Sequence, residues 1–312
     1  MRGIILFILS VIMIMACNKK QDISTPFVFN KNEAGIELWE DSSLVFFYQQ
    51  KPKSLNGKYT RNGYIHPLMS LDGDTLTDDF PVDHVYHRGV FWAWHQIYVD
   101  TQHVSDSWSL INFISDVTNV NTITTHTQAR MDLKLLWKSP VYNGGKPYVE
   151  ENTQITVNNL MKGIRKIDFK ISLLALIPGV KIGGSDDEKG YGGFSLRIKM
   201  PDGLVFTSNG SQIIPQNLQI KAGSWMDFSA PYGQEGEMSG ITLIGYPGLP
   251  NFSQQWILRQ KGSMQNIVFP GREPVELSMN DPLILNYSLI IHRDMVEKNP
   301  DLKLLLEEKY NE

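Results

Sequence analysis

The chain has 312 residues, of which 42% are apolar and 20% are charged, and this composition is ordinary for a globular protein with a sizeable core. Its formal net charge is −4, and its lysine and arginine residues are scattered along the sequence. A nucleic-acid-binding surface needs clustered cations to neutralise phosphates, so the sequence argues against nucleic acid as a partner.

The first 17 residues have the pattern of a bacterial lipoprotein signal peptide. Arg2 supplies a positive charge, and an apolar run follows over residues 3–15. Since a spanning helix needs about 20 apolar residues, this run is too short to cross a membrane. It leads to Cys17, the only cysteine, within a sequence that resembles a lipobox. The alternative is an ordinary signal peptide in which this cysteine has no role.

The lipobox interpretation predicts the location of the mature protein. Residues 1–17 would form the signal peptide ending at lipidated Cys17, and residues 18–26 would form a polar tether. Several acyl chains give stable membrane attachment, whereas one chain alone is marginal. We therefore expect a lipoprotein of the bacterial cell envelope, attached to the outer membrane and not transmembrane.

From residue 27 onward, short runs of β-branched and aromatic residues alternate with Gly, Pro, Asn and Asp clusters. Such runs without helices between them predict an all-β fold, an antiparallel β-sandwich, in one domain over residues 27–312. A short C-terminal helix is also expected, with Asn299 as its cap and Pro300 in its first turn. The predicted strands cover residues 43–50, 90–99, 108–114, 131–137, 153–157, 167–177, 194–200, 241–246 and 283–292.

Residues 79–97, DFPVDHVYHRGVFWAWHQI, contain three of the seven histidines and two of the seven tryptophans. On a strand, positions i and i+3 face opposite sides, so His84 and His87 share a pocket only if a turn intervenes. Pro81 and Gly89 favour such a turn. Period-two spacing then places His95 on the side opposite Trp92 and Trp94.

Two chemical roles and one structural role fit this histidine cluster. The imidazoles can act as general acid and base, with Arg88 orienting a hydroxyl-rich or anionic substrate and the tryptophans stacking on a sugar ring. Alternatively, His84 and His87 hold a divalent metal together with an aspartate. In the structural interpretation, the cluster is a hairpin whose aromatic residues fill a core. The functional interpretations expect His84, His87 and Arg88 to be partly exposed, so that their removal costs only about 1 kcal/mol.

Other polar residues outside this stretch are candidates for the same site. Glu151 and Asp227 are candidate catalytic carboxylates beside His84, His87 and His95, although charges at strand ends are also commonly solvated. The candidate substrate-binding residues are His66, Arg88, Trp92, Trp94, Arg197, Trp225 and His292. No Gly-x-Ser-x-Gly elbow is present, and the only cysteine lies at the expected anchor, so a cysteine nucleophile is excluded.

The segment YIHPLMSLDGDTLTDDFPVDHVYHRGVFWAWHQI, residues 64–97, resembles the signature of the DUF6807 family, which is also labelled methane oxygenase PmoA. The resemblance continues through GYGGFSLR, GSWMDFS, ITLIGYPGLPNFSQQWILR and LNYSLIIHRD and covers nearly the whole mature chain. The family pattern reads D-H-P-H-H-R-G. Here Val85 and Tyr86 replace its proline and its first inner histidine, whereas His84, His87 and Arg88 match.

The resemblance implies a fold similar to the galactose-mutarotase-like supersandwich, in which histidine and carboxylate side chains on the concave sheet face bind sugars. The expected function is therefore a lipoprotein that acts on carbohydrate, as a hydrolase, lyase or isomerase with a His, Arg and carboxylate site. One alternative is a lipoprotein that binds glycans without catalysis. The other, implied by the family label, is a metal-dependent oxygenase.

Overall fold

The computed structural model describes residues 25–233, 236–246 and 254–310, with the side chains of residues 308–310 left out. Cys17, the expected signal peptide and most of the expected tether lie outside the described residues.

The described residues form 24 strands, two short 3-10 turns and one α-helix. The first twelve strands are β1 (Phe27–Lys31), β2 (Gly35–Glu40), β3 (Ser43–Gln49), β4 (Lys53–Leu55), β5 (Lys58–Arg61), β6 (Tyr64–Leu68), β7 (Val90–Ala93), β8 (Gln96–Val99), β9 (Gln102–Ser105), β10 (Ile114–Thr124), β11 (Gln128–Lys138) and β12 (Val149–Asn158). The remaining elements are β13 (Ile164–Ala175), β14 (Val180–Gly183), β15 (Gly193–Leu196), β16 (Val205–Ser208), β17 (Ser211–Gln212), β18 (Ile220–Lys221), β19 (Trp225–Pro231), β20 (Met238–Gly245), β21 (Gln255–Ile257), β22 (Gln265–Ile267), β23 (Val275–Glu276), β24 (Leu283–Arg293) and α1 (Pro300–Tyr310).

Two large antiparallel sheets make up most of the described structure. The first sheet has the order β1-β2-β3-β6-β7-β15-β22-β21-β18, and the second has the order β10-β11-β12-β13-β24-β20-β19-β16-β17. A four-stranded sheet, β23-β14-β8-β9, and the hairpin β4-β5 complete the strand pairing of the described residues. The predicted all-β antiparallel class is therefore confirmed.

The two large sheets pack face to face across one apolar core. Along β11, β12 and β13, buried residues alternate with more exposed ones, as expected for a sheet with one solvated face. Side chains of the two sheets meet in the core: the ring of Phe169 on β13 lies 5.0 Å from that of Phe194 on β15. Phe194 also stacks on Tyr287 of β24, with 4.7 Å between ring centroids.

The other face of the first sheet carries a second, smaller apolar cluster that is covered by loops. Phe91 and Ala93 on β7 belong to this cluster, together with Trp108 and Met264 from loops. By contrast, Trp92 and Trp94 belong to the main core. Alternate residues of one strand thus serve two different layers, and the loops over the outer face can form a pocket without disturbing the core.

The C-terminal helix α1 begins as the sequence predicts. The Asn299 side chain accepts a hydrogen bond from the Leu302 amide at 3.0 Å, and Pro300 occupies the first turn. Leu302 and Leu306 pack against Trp225 of the second sheet. Within the described ranges, no helix has the length and apolar composition to cross a membrane.

Two predicted strands differ from the structure. The run 90–99 is divided into β7 and β8, since the chain bends at Trp94 and His95. Residues 108–111 form a turn, and the next strand begins only at Ile114. The run 108–114 has strand composition because Trp108 and its neighbours are large and apolar, but their burial comes from packing under loops instead of from a sheet ladder.

Candidate functional site

A pocket of about 380 Å³ lies among the loops that cover the outer face of the first sheet. This volume is within the range of small-molecule sites. It combines aromatic rings, two imidazoles, a carboxylate and three cationic side chains. The lining residues are Asp83, His84, Tyr86, His87, Trp108, Lys189, Tyr191, Arg259, Lys261, Gly262, Ser263 and Met264.

A tight turn brings His84 and His87 into this pocket. The His84 amide donates to the carbonyl of Pro81 at 3.2 Å, and the His87 amide donates to the carbonyl of His84 at 2.9 Å. The two imidazole rings stack with 4.8 Å between centroids and an angle of 6° between planes. Gly89 closes the turn where a Cβ would lie only 2.0 Å from the Ile65 carbonyl oxygen, so only glycine fits.

Asp83 fixes the orientation of His84. Its Oδ2 lies 2.9 Å from Nδ1 of His84, and the Arg197 guanidinium donates to both carboxylate oxygens at 2.9 and 2.7 Å. Partial burial alone would raise the pKa of Asp83, but hydrogen bonds from Arg197, His84 and the Ser263 amide lower it well below its usual range. An ionised carboxylate only accepts, so Nδ1 of His84 carries the proton and Nε2 keeps a free lone pair.

The turn at residues 259–264 forms the opposite wall and is attached to the same carboxylate. Besides its amide bond to Asp83, the Ser263 carbonyl accepts a hydrogen bond from Arg197. Gly262 has a φ of +62°, and a Cβ there would lie 2.8 Å from Oδ2 of Asp83. Glycine at this position therefore allows both the left-handed turn and the close approach of the carboxylate.

His87 forms a neutral part of the pocket wall. Its side chain is buried, and burial, with smaller effects of His84, Arg197 and Arg61, lowers its pKa to about 2. Nδ1 of His87 is buried and has no hydrogen-bond partner among the described residues. At neutral pH this imidazole can only exchange hydrogen bonds without charge, and the unpaired nitrogen is a position for a ligand hydroxyl or for water.

His95 lies behind the pocket in a second His–Asp pair. Its Nδ1 is 2.9 Å from Oδ2 of Asp106, whose Oδ1 accepts a hydrogen bond from the Ser109 amide at 2.7 Å. The ring stacks on Trp108 at 5.4 Å and meets Tyr191 edge-on at 5.0 Å. His95 does not line the pocket, but it contacts two rings that do.

The aromatic wall of the pocket is continuous from one histidine pair to the other. His87 meets Trp108 edge-on at 5.6 Å, Trp108 meets Tyr191 at 4.9 Å, and Tyr86 meets His87 at 4.9 Å. These contacts hold the ring planes in place. The result is a rigid apolar surface beside hydrogen-bonding imidazoles, an arrangement that suits a ring with one apolar face and many hydroxyls.

Arg88, predicted to orient a substrate, does not line the pocket. Its side chain is fully buried and donates to the main-chain carbonyls of Val85, His87 and Tyr59. Its Nε lies 3.2 Å from Oδ1 of Asp79, and its guanidinium covers the Phe80 ring at 3.5 Å. A guanidinium with these contacts has no free edge for a ligand, so Arg88 holds the 79–88 loop together.

Trp92, Trp94 and Glu151 are also placed away from the pocket. Oε1 of Glu151 accepts a hydrogen bond from the Trp92 indole at 3.0 Å, and Oε2 accepts one from Trp137 at 2.9 Å. Burial raises the pKa of Glu151 even though these hydrogen bonds and one from Thr153 lower it. The Trp94 indole donates to the Phe269 carbonyl in the core. The expected stacking platform is instead formed by Trp108, Tyr86 and Tyr191.

Asp227 and His292 form a separate buried pair in the second sheet. Oδ1 of Asp227 is 2.7 Å from Nε2 of His292, while Nδ1 of His292 is 3.1 Å from the Asp294 carbonyl. Burial alone would lower the pKa of His292, but the carboxylate and the carbonyls outweigh it and raise the pKa. Since both ring nitrogens face acceptors, His292 is an imidazolium.

Three further candidates also have identifiable positions. Trp225 packs under helix α1 and lines a different cavity. His66 sits on β6 with Nδ1 3.0 Å from the Thr77 hydroxyl, and burial lowers its pKa. Arg197 supports the pocket from below through its contacts with Asp83. Of the predicted binding residues, Arg197 therefore touches the pocket network, whereas Trp225 and His66 do not line the pocket.

The described residues do not fit a metal centre. No group of three or more His, Cys, Asp or Glu side chains within the described ranges is placed to hold an ion. His84 and His87 are stacked in parallel, so the lone pairs of their nitrogens, which lie in the ring planes, do not converge on one point. Metal chemistry at this pair would require one ring to turn.

Several pocket residues were not predicted as site residues. Asp106 and Trp108 lie in VSDSWS, which has strand composition, and Tyr191 lies in a loop whose glycines alone drew attention. Lys189, Arg259 and Lys261 come from two loops that are distant in sequence from the histidines. Single aromatic and basic residues in separate loops carry no motif, so only the three-dimensional structure brings them together.

Comparison with solved structures found two similar chains that are described by their activity. The mutarotase candidate YeaD from Salmonella typhimurium is 8% identical, with a TM-score of 0.34, over 87% of this chain and 95% of that one. Galactose 1-epimerase from Lactobacillus acidophilus is 11% identical, with a TM-score of 0.38, over 87% of this chain and 99% of that one. No match was found among curated proteins.

The family comparison covers most of the sequence, including the whole pocket. Residues 36–301 match the model of DUF6807, which is described as a family of unknown function. The matched range contains both His–Asp pairs and the three cationic residues of the pocket. The chain therefore belongs to the DUF6807 family.

Proposed function

We propose that the protein is a carbohydrate-active enzyme that transfers a proton to or from a sugar in this pocket. The observation that carries the proposal is His84, which lines the pocket with Nδ1 bound to an ionised carboxylate and Nε2 free. Such a pairing fixes the tautomer and makes the other nitrogen a proton acceptor at neutral pH. His84 is also the most exposed residue of the predicted triad, with 36% of its side chain accessible.

The surroundings of His84 support a sugar as the substrate. Trp108, Tyr86 and Tyr191 provide an apolar wall, and Nδ1 of His87 is a buried polar atom that needs a partner. Buried polar atoms in proteins are nearly always paired, so an unpaired one beside a pocket fits a hydroxyl-bearing ligand. His95 acts as a positioning residue, since its bond to Asp106 fixes the ring on which Trp108 stacks.

The carboxylates of the pocket favour isomerase-type or lyase-type chemistry over glycoside hydrolysis. Glycosidases in general use two carboxyl groups, one of them a protonated acid. Asp83 is held ionised by Arg197 and cannot serve as that acid, and Asp106 is occupied by His95 and the Ser109 amide. Proton transfer by an imidazole is the chemistry that remains to the residues on the pocket wall.

The test is turnover by wild type and by His84→Gln on a panel of neutral and acidic mono- and disaccharides in D₂O. NMR detects both anomer interconversion and exchange of carbon-bound protons. We expect His84→Gln to lower the rate at least about 100-fold, because general acid–base catalysis contributes roughly 10²–10⁴-fold. His126→Gln, an exposed histidine on another loop, is the matched control and should keep full activity.

Binding without turnover is the outcome expected of the second candidate function, a glycan-binding lipoprotein. The aromatic wall favours this candidate, since stacking requires no proton acceptor. If wild type binds a sugar but neither exchanges protons nor interconverts anomers, the enzyme proposal fails. If His84→Gln turns over at the wild-type rate, His84 is not the proton-transferring group.

We also propose that Cys17 is lipidated, which would place this pocket at the cell envelope. The support is the lipobox-like sequence before the only cysteine. In a bacterial host, Cys17→Ser is expected to move the protein from the membrane fraction to the soluble fraction, because acyl chains would then be absent. Fractionation with a carbonate wash measures this. A variant that stays in the washed membranes contradicts lipidation at this residue.

A further inference from the structure

Three cationic side chains surround the mouth of the pocket. Lys189 comes from the loop before β15, while Arg259 and Lys261 come from the turn between β21 and β22. Lys261 is exposed, whereas Lys189 and Arg259 are half-buried. Partial burial lowers the pKa of Arg259, which shows that its charge has lost part of its hydration without gaining a full counter-charge.

The carboxylates near these cations are already engaged. Asp83 is paired with Arg197 through two short hydrogen bonds. Asp187, whose Oδ2 is 3.8 Å from Nζ of Lys189, has its Oδ1 bound to the Ser185 hydroxyl and to two amides of its own loop. Within the part of the chain that the structure describes, no carboxylate forms an ion pair with Arg259 or Lys261. The pocket mouth therefore has an excess of positive charge.

The guanidinium of Arg259 is held in a fixed position. It donates to the main-chain carbonyls of Gln216 at 2.9 Å and Asn217 at 3.1 Å. Its amide and carbonyl are bonded to the side chain of Gln265, which fixes the base of the turn. A cation that is oriented by neutral carbonyls, and not neutralised by a carboxylate, is arranged to receive an anion from outside.

We infer that the sugar bound in this pocket is a sugar acid, whose carboxylate is held by Lys189, Arg259 and Lys261. The inference rests on the proposed function and names its substrate class. A neutral sugar would leave the three charges uncompensated at the mouth of an apolar pocket. A carboxylate would compensate them and would be recognised through charge-assisted hydrogen bonds.

A carboxylate in this position also explains how an imidazole can take a proton from carbon. In a hexuronate, the C5–H bond lies next to the carboxylate. When that bond breaks, the proton goes to Nε2 of His84 and the electron pair moves into the carboxylate as an enediolate, which nearby cations stabilise. Return of a proton to C5 reforms the bond, so the step balances without an oxidant or a second substrate.

The test compares matched sugars that differ only at C6: glucose with glucuronate and galactose with galacturonate, each as the methyl glycoside. Titration calorimetry gives the dissociation constants, and NMR in D₂O follows the proton at C5. We expect each acid to bind at least about tenfold more tightly than its neutral partner, and its C5 proton to exchange. Raising NaCl from roughly 0.05 M to 0.5 M should weaken the acid but not the neutral sugar.

Variants assign the effect to the three cations. Lys261→Gln and Arg259→Gln should each weaken the acid about tenfold and leave the neutral sugar unchanged. Lys31→Gln is the matched control, because Lys31 is exposed on the edge strand β1 of the same sheet. It should change neither affinity.

The outcomes separate this inference from the proposed function. Equal affinities within a pair, or turnover of neutral sugars alone, overturn the sugar-acid inference and leave the carbohydrate function standing. Tight binding of glucose 6-sulfate, with exchange absent from the uronates, overturns it too, since the pocket then selects anions without activating C5. Failure of every sugar in the panel to bind overturns both.

Discussion

Replacing His292 by alanine is expected to lower the free energy of unfolding by about 3–5 kcal/mol, because the change leaves a buried carboxylate without its cation. Asp227 is 1% exposed and His292 is fully buried. The Thr242 and Ser229 hydroxyls also donate to Asp227, but hydroxyl groups cannot replace the lost charge. Gly240 leaves the space that the imidazole occupies, since a Cβ there would lie 2.2 Å from its Cε1.

The same pair predicts how stability changes with pH. The pKa of His292 is raised in the folded protein above its value in the unfolded chain. The stabilisation from the imidazolium is therefore complete below about pH 6.5, the ordinary histidine value, and is lost as the pH rises through the raised pKa. His292→Ala should lack this alkaline loss.

Urea unfolding at several pH values measures both effects. His126→Ala removes an exposed histidine from a hairpin turn and should stay within about 0.5 kcal/mol of wild type. If His292→Ala unfolds like that control, the Asp227–His292 pair does not stabilise the fold as its geometry indicates.

Arg88→Ala is expected to cost about 3–5 kcal/mol as well, because a buried guanidinium with several partners is removed. Three main-chain carbonyls would lose their donor, and Asp79 would lose its buried cation. Arg88→Lys should recover only part of the loss, since one ammonium group cannot reach all these acceptors or stack on Phe80. This result contrasts with the sequence-based expectation of a loss near 1 kcal/mol.

Denaturant unfolding together with sugar titration tests this structural role of Arg88. Arg130→Ala removes an arginine that is 41% exposed and paired with Asp132 on the surface, and it should cost at most about 1 kcal/mol. An Arg88→Ala protein that is as stable as wild type but no longer binds sugar would make Arg88 a ligand-binding residue after all.

The fold class could be predicted from the sequence because strand and helix signals are local. The alternation in β11 to β13 and the cap at Asn299 depend on residues close together in the chain. The division of the run 90–99 could not be predicted, because the bend at His95 follows from contacts with Asp106 and Trp108. Aromatic composition alone fits a strand and a buried turn equally well.

The candidate site could be predicted in part for the same reason. The sequence indicates the turn at His84 and His87 and the separation of His95 from the two tryptophans, since both depend on spacing within one segment. It does not show that Arg88 points into the protein, because burial of a charge depends on carbonyls supplied by other residues, including Tyr59. Nor does it connect Arg259 with the histidines, which are more than 150 positions away.

The contacts of Asp83 have a consequence for how the site forms during folding. This single carboxylate joins positions that are 114 and 180 residues away, Arg197 and Ser263. Closing such long loops is entropically costly, so non-local contacts of this kind form late. A nascent chain that has emerged as far as β15 already contains every histidine of the pocket and yet has no binding site. Sugar binding would therefore appear only when the first sheet is complete, and it could serve as a signal that folding has finished.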